Sequence, residues 1–137
     1  MIFDILEHKI AAAGLGVPGE SLFRGTMPAE CTVGVLFRMP LEGIPVDPHI
    51  VGWHKPRLQV IVRHTDPVQG EALANKVIKT LLVEHPEDHP ATAERGRARI
   101  TVFYPAQLPI QFPMLEGNAI EWSLNFRTAF SVEPAWK

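Results

Sequence analysis

Apolar residues recur at helical spacing from Ile2 to Ala13, where Phe3, Leu6, Ile10 and Ala13 form one stripe and predict an amphipathic helix. Gly14, Gly16 and the pair Pro18-Gly19 end it. Ser21–Gly25 reads as a short extended piece. Thr32–Met39 is apolar and β-rich, which predicts a strand with Gly34 as a bulge or point of close approach. Arg57–His64 alternates, with Leu58, Val60 and Val62 on one side and Arg57, Gln59, Ile61 and Arg63 on the other. Asp66-Pro67 is a helix start, an N-cap aspartate before a proline whose φ already suits the first turn. That helix is expected to run to about Glu84, burying Ala74, Val77, Ile78, Leu81 and Leu82, until His85-Pro86 stops it. Arg97–Tyr104 predicts a further strand with Ile100, Val102 and Tyr104 on one face. Ala119–Val132 alternates longest: Ile120, Trp122, Leu124, Phe126, Thr128 and Phe130 oppose Glu121, Ser123, Asn125, Arg127 and Ser131.

The order α-β-β-β-α-β-β clusters its strands, so the expected class is α+β: a mainly antiparallel or mixed β-sheet with two helices packed on one face. A length of 137 residues suits one domain spanning 1–137 with its own core. Thirteen prolines are more than that plan needs. Most fall in two long connections, Pro40–Pro56 and Pro105–Gly117, and in a polar loop after the second helix; 133–137 is a short tail. Both long connections are read as irregular, because proline removes a backbone donor and fixes φ. They are also unusually apolar, holding Leu41, Ile44, Val46, Ile50, Val51 and Trp53 in the first. The second holds Leu108, Ile110, Phe112, Met114 and Leu115. An apolar side chain left in water forgoes roughly 1.5–3 kcal/mol of burial, so something is expected to cover these loops. Proline lowers the entropy lost when such a loop is ordered at a contact. The competing reading is that both loops fold back on their own domain.

Charge and candidate chemistry narrow the function. Thirteen Lys and Arg against fifteen Asp and Glu give a net charge of −2, unlike a general nucleic-acid binder. The N-terminus lacks a signal-peptide apolar region, and no apolar run approaches the ~18–20 residues that cross a bilayer, so no membrane partner is expected. Synthesis in a cytoplasm-like compartment follows as an expectation. The lone Cys31 allows no intramolecular disulfide and carries no nucleophile motif. His85 and His89 lie among Glu84, Glu87 and Asp88, but Pro86 and Pro90 oppose the helix that metal spacing would need. A solvated loop is favoured there. His49 and His54 flank Trp53 without a carboxylate to complete a metal set. Gly14, Gly16 and Gly19 follow a helix, which is not the context of a phosphate loop. Arg95, Arg97 and Arg99 would share one strand face, and a charged sheet edge is favoured over phosphate binding. No catalytic, cofactor-binding or metal-ligating residue is assigned, and no cofactor is expected.

The segments Leu22-Phe23-Arg24-Gly25-Thr26-Met27-Pro28 and Val33-Gly34-Val35-Leu36-Phe37 precede a loop with Gly43, Pro45 and Pro56. Then come Leu58-Gln59-Val60-Ile61-Val62-Arg63, a helix with Ala72-Leu73-Ala74, and a closing strand with Asn125-Phe126. In order and spacing this series resembles the tail terminator family of long-tailed bacteriophages, also called minor capsid or head–tail joining proteins. The resemblance runs from about Ile2 to Phe130. It implies an α+β virion subunit of the tail and neck, assembled from the host cytoplasm into a hexameric homo-oligomeric ring. The ring caps the tail tube protein, stops polymerisation and meets the head–tail connector, or stopper, while DNA passes through its lumen without specific binding. The expected subunit or partner interface comprises Ile44, Val46, Trp53, Arg57, Gln59, Arg63, Leu108, Ile110, Phe112 and Met114. Arg57, Gln59 and Arg63 are expected at the lumen or a subunit boundary. The alternatives are another neck or tail-tube component, or a small-molecule enzyme or binding module built on the histidine loops.

Overall fold

The computed structural model describes residues 2–112 and 119–134. In chain order the elements are α1 Phe3–Ala12, β1 Leu22–Arg24, β2 Gly34–Arg38, β3 Trp53–His54, β4 Arg57–His64, α2 Pro67–Leu81, β5 Glu87–His89, β6 Ala98–Pro105, β7 Ile110–Gln111 and β8 Ile120–Val132. The class is α+β, and three short strands join those the pattern predicts. β3 lies inside the first proline-rich connection, β5 inside the polar loop, and β7 inside the second connection.

All of these belong to one mixed sheet, ordered β1-β2-β4-β8-β6-β5, with β3 and β7 also paired to β8. Only β1 and β2 run parallel; the other pairings are antiparallel. β8 is the axis of the sheet. Along one edge it pairs with β3 and then β4 in a single unbroken register, Trp53 opposite Ser131 and Arg57 opposite Arg127. Pro56 interrupts that ladder because it has no N–H to give. Thr128, on the buried side, repairs the gap by donating its hydroxyl to the Pro56 carbonyl at 2.6 Å. Along the other edge β8 pairs with β6 and then, past a kink at Pro105–Pro109, with β7. The second connection is therefore, as far as Phe112, one arm of a β-hairpin. Expecting it, and the first connection, to be wholly irregular was wrong, since proline is tolerated where a strand is interrupted or kinked.

The register divides the sheet into two sides. Leu22, Val35, Phe37, Leu58, Val60, Val62, Trp122, Leu124 and Phe126 share the side that meets both helices in one buried cluster. Phe3 of α1 stacks on Phe37 at 6.1 Å between ring centroids. Gly70 of α2 lies so close to the Trp122 ring that any Cβ would collide with it. Asp66 caps α2 as its sequence predicts, its carboxylate accepting from Val68 and Gln69 N–H at 2.8 and 3.2 Å. The helix stops at Leu81, short of Glu84, because Leu82 turns extended. On α1 the buried stripe is Ile2, Ile5, Leu6 and Ile10; Ala13 is exposed. In β6 a bulge between Ile100 and Val102 flips the alternation. Ile100 and Phe103 are buried, whereas Val102 and Tyr104, expected beside Ile100, face outward.

Three ion pairs strap α1 to the rest of the chain. The Asp4 carboxylate takes Arg95 Nε at 3.1 Å, Glu7 takes Arg24 Nε at 2.7 Å, and Glu87 of β5 takes Lys9 Nζ at 2.7 Å. Arg95 also donates to the carbonyls of Pro90 and Gly96. It is an anchor outside any strand, which breaks the expected stripe of Arg95, Arg97 and Arg99. The hydrogen bonds that Arg24 donates to Glu7 raise the pKa of Arg24, against the lowering effect of burial. Burial alone would raise the pKa of Glu87. The hydrogen bond and charge of Lys9, with His89 adding to them, outweigh that and hold Glu87 below the ordinary carboxylate range.

Candidate interaction surfaces

Three surfaces are left once the helices are placed, and each follows from the strand pattern. The first is the sheet side away from the helices. Because β-strands alternate, it carries Arg38 of β2, Arg57, Gln59, Ile61 and Arg63 of β4, Val102 and Tyr104 of β6, and Glu121, Ser123, Asn125 and Arg127 of β8. One end of it is closed by the segment between β1 and β2. Arg63 donates there to the Pro28 and Cys31 carbonyls at 2.9 Å each, and to Glu121 at 3.0 Å. Gly34 is the predicted close approach, since a Cβ would sit 3.1 Å from Met27 Sδ and Cys31 Sγ. The middle is a polar ladder in which Gln59 and Asn125 donate to Ser123 Oγ at 2.7 and 3.1 Å. The other end is open: Arg57 and Arg127 are directly opposed across β4 and β8, with Tyr104 opposite Arg127 on β6. Arg38, Arg57 and Arg127 are exposed and make no ion pair among the described residues.

The second surface is the Pro40–Pro56 connection at the C-terminal end of β8. Ile44 turns inward and packs on the core, and Trp53 is half-buried in β3. Leu41, at 97% exposure, Val46, Ile50 and Val51 face water beside the exposed acids Glu42 and Asp47. The third surface is the hairpin arm at the N-terminal end of β8, where Leu108 (86% exposed), Ile110 and Phe112 stand outward. Met114 lies outside the described residues. The registers Trp53–Ser131 and Gln111–Trp122 put these two apolar surfaces nine β8 residues apart, roughly 30 Å at strand rise. They are two patches at opposite ends, not one.

The histidines do not converge. His54 packs on Phe130 with ring centroids 5.6 Å apart, and His49 is exposed. His89 contacts Glu87 at 3.2 Å and lines an open groove of about 710 Å³ with Asp88, Arg97, Arg99 and Glu133. His85 and His89 are separated by the start of β5, a strand where a solvated loop was expected. Among the described residues, no three or more His, Cys, Asp or Glu side chains are grouped to hold a metal ion. No helix among them is long and apolar enough to cross a membrane. Sequence reasoning did not find the exposed Arg57–Arg127 pair, which needs the β4–β8 register. It also missed the Arg95 anchor, whose carboxylate partner lies 91 residues away in the sequence.

No curated protein matches this sequence. A solved chain of the virion of a native gene transfer agent particle has a similar structure, with a TM-score of 0.60 at 16% identity. The likeness covers 92% of this chain and 91% of that one, and at such identity it speaks for the fold. Residues 9–132 match the family described as bacteriophage tail terminator protein, a span that takes in the end of α1, all of α2, every strand and the three surfaces. The chain belongs to the bacteriophage tail terminator family.

Proposed function

We propose that this chain is the ring subunit that ends the tail: it assembles as a hexamer on the finished tube, stops further polymerisation and offers its far side to the head–tail connector. Membership of the family makes it a structural protein of the phage tail, with a place in the virion. The finer roles rest on one observation above all: two exposed apolar, proline-stiffened surfaces stand at opposite ends of a single sheet. A cap needs two faces that meet different neighbours, and β8 holds these about 30 Å apart. In this reading Leu108, Ile110 and Phe112 form an axial contact, to which Met114, outside the described residues, is also assigned, and Val46 and Trp53 meet a different neighbour. Arg57 and Gln59 lie at the lumen or a subunit boundary, while Arg63 and Ile44 shape these surfaces from within. DNA passes without a specific site, in keeping with a net charge of −2. Assembly occurs in the host cytoplasm.

The test is assembly of tube protein with and without this chain, followed by negative-stain microscopy. Tubes should stop growing and carry a terminal ring only when the chain is added. Uncapped tubes of unchanged length distribution would reject the role. Rings built into the tube wall would reassign the chain to the tube itself.

A further inference from the structure

The arginines of the open sheet side are an unresolved charge within the subunit. Arg57 and Arg127 are direct cross-strand neighbours, and like charges so placed repel. Arg38 flanks them from β2, where its partner is Gln59. None of the three finds a carboxylate among the described residues, in a chain whose net charge is negative. The connection that leaves Arg38 and returns just before Arg57 carries two exposed acids, Glu42 and Asp47, and neither reaches these arginines in its own subunit. Among the described residues the Asp47 carboxylate accepts only a backbone N–H, from His49 at 2.8 Å. Both surfaces also pair charge with apolar area: Leu41, Val46 and Ile50 beside the acids, Val102 and Tyr104 beside the arginines. Each surface thus has what the other lacks.

We propose that the Pro40–Pro56 connection of one copy docks on the open sheet side of the next, with Glu42 and Asp47 set against Arg57 and Arg127. The two surfaces differ, so the contact is heterologous, and its repetition closes a ring if the rotation between copies permits. The occupant is a second copy of this chain. The proposal rests on the ring reading above and adds which surfaces make the ring. The alternative anion, a DNA phosphate backbone, becomes an outcome of the test.

Two charge-reversed variants separate these cases, Arg57→Glu/Arg127→Glu and Glu42→Lys/Asp47→Lys. All four positions are exposed, so both variants should unfold at the wild-type urea midpoint, which is checked first. Native mass spectrometry and sedimentation should show ring association at least tenfold weaker for either variant alone. An equimolar mixture should regain it, because opposite charges then meet at every contact of an alternating ring. Rings from either variant alone at wild-type strength, or a mixture that stays dissociated, would overturn the pairing. So would an arginine variant that forms normal rings and loses only salt-sensitive duplex DNA binding, which would assign the arginines to DNA. A wild-type protein that forms no ring, alone or on tubes, counts instead against the ring reading itself.

Discussion

Gly70 shows how one missing side chain sets a helix in place. In the first turn of α2 alanine would still be the better helix former, by up to roughly 0.8–1.0 kcal/mol. Here its Cβ would run into the Trp122 ring, and overpacking costs about 1–3 kcal/mol. Gly70→Ala is therefore expected to lower the urea midpoint, and to do so less in a Trp122→Phe background; equal losses in both backgrounds would refute the contact. Glu87 gives a pH signature. Its pKa is lowered in the fold, so the Lys9–Glu87 pair stabilises above the ordinary glutamate value of about 4.3, and the contribution is lost as pH falls through the lowered value. The stability gap between wild type and Glu87→Gln should be present at neutral pH and narrow progressively below pH ~4.3; a gap constant with pH would exclude the pair as its source. At this scale Asp66 was legible because an N-cap is a local rule, satisfied within three residues. Arg95 was not, since alternation alone cannot tell an exposed strand arginine from one recruited by a distant helix.

At the scale of elements, the long periodic segments were readable and the short strands were not. β4, β8 and α2 announce themselves because burial on one face imposes a period. β3, β5 and β7 have two or three residues each and exist because β8 and β6 offer unpaired backbone beside them. Proline at position 56 correctly signalled a break in hydrogen bonding but not that the strand resumes in register on both sides of it. Thr128→Val tests that repair: losing the hydroxyl leaves the buried Pro56 carbonyl unpaired, and unfolding free energy should drop by about 1–3 kcal/mol. An unchanged value would show that the carbonyl finds another donor. The bulge in β6 defeats alternation for a different reason, because one extra residue reverses every side chain beyond it. Deleting Thr101 removes that extra residue and leaves Phe103 opposite Thr128 and Tyr104 opposite Arg127, so the variant should still unfold in one cooperative urea transition; loss of the transition would count against the observed register.

The whole molecule presents its unsatisfied surfaces at the ends and on one side of the sheet, and these were the least legible of all. Apolar content in the loops said that something covers them, while only the register says that they lie far apart. Leu41→Ser and Leu108→Ser should each leave stability within about 0.5 kcal/mol, since both side chains already stand in water. Each should weaken a different step of assembly, read by ring mass for Leu41 and tube capping for Leu108; if both impaired the same step alone, the two-ended arrangement would be wrong. The placement of β8 has a mechanical consequence as well. β3 and β4 hold one of its edges and β6 and β7 the other, so tension applied along the strand meets both ladders in shear. Their hydrogen bonds must then give way together, whereas a pull that peels β1 from β2 opens them one at a time. A domain built this way is stiffest along the line joining its two apolar ends, and single-molecule pulling between Leu41 and Leu108 should rupture at a higher force than pulling through β1.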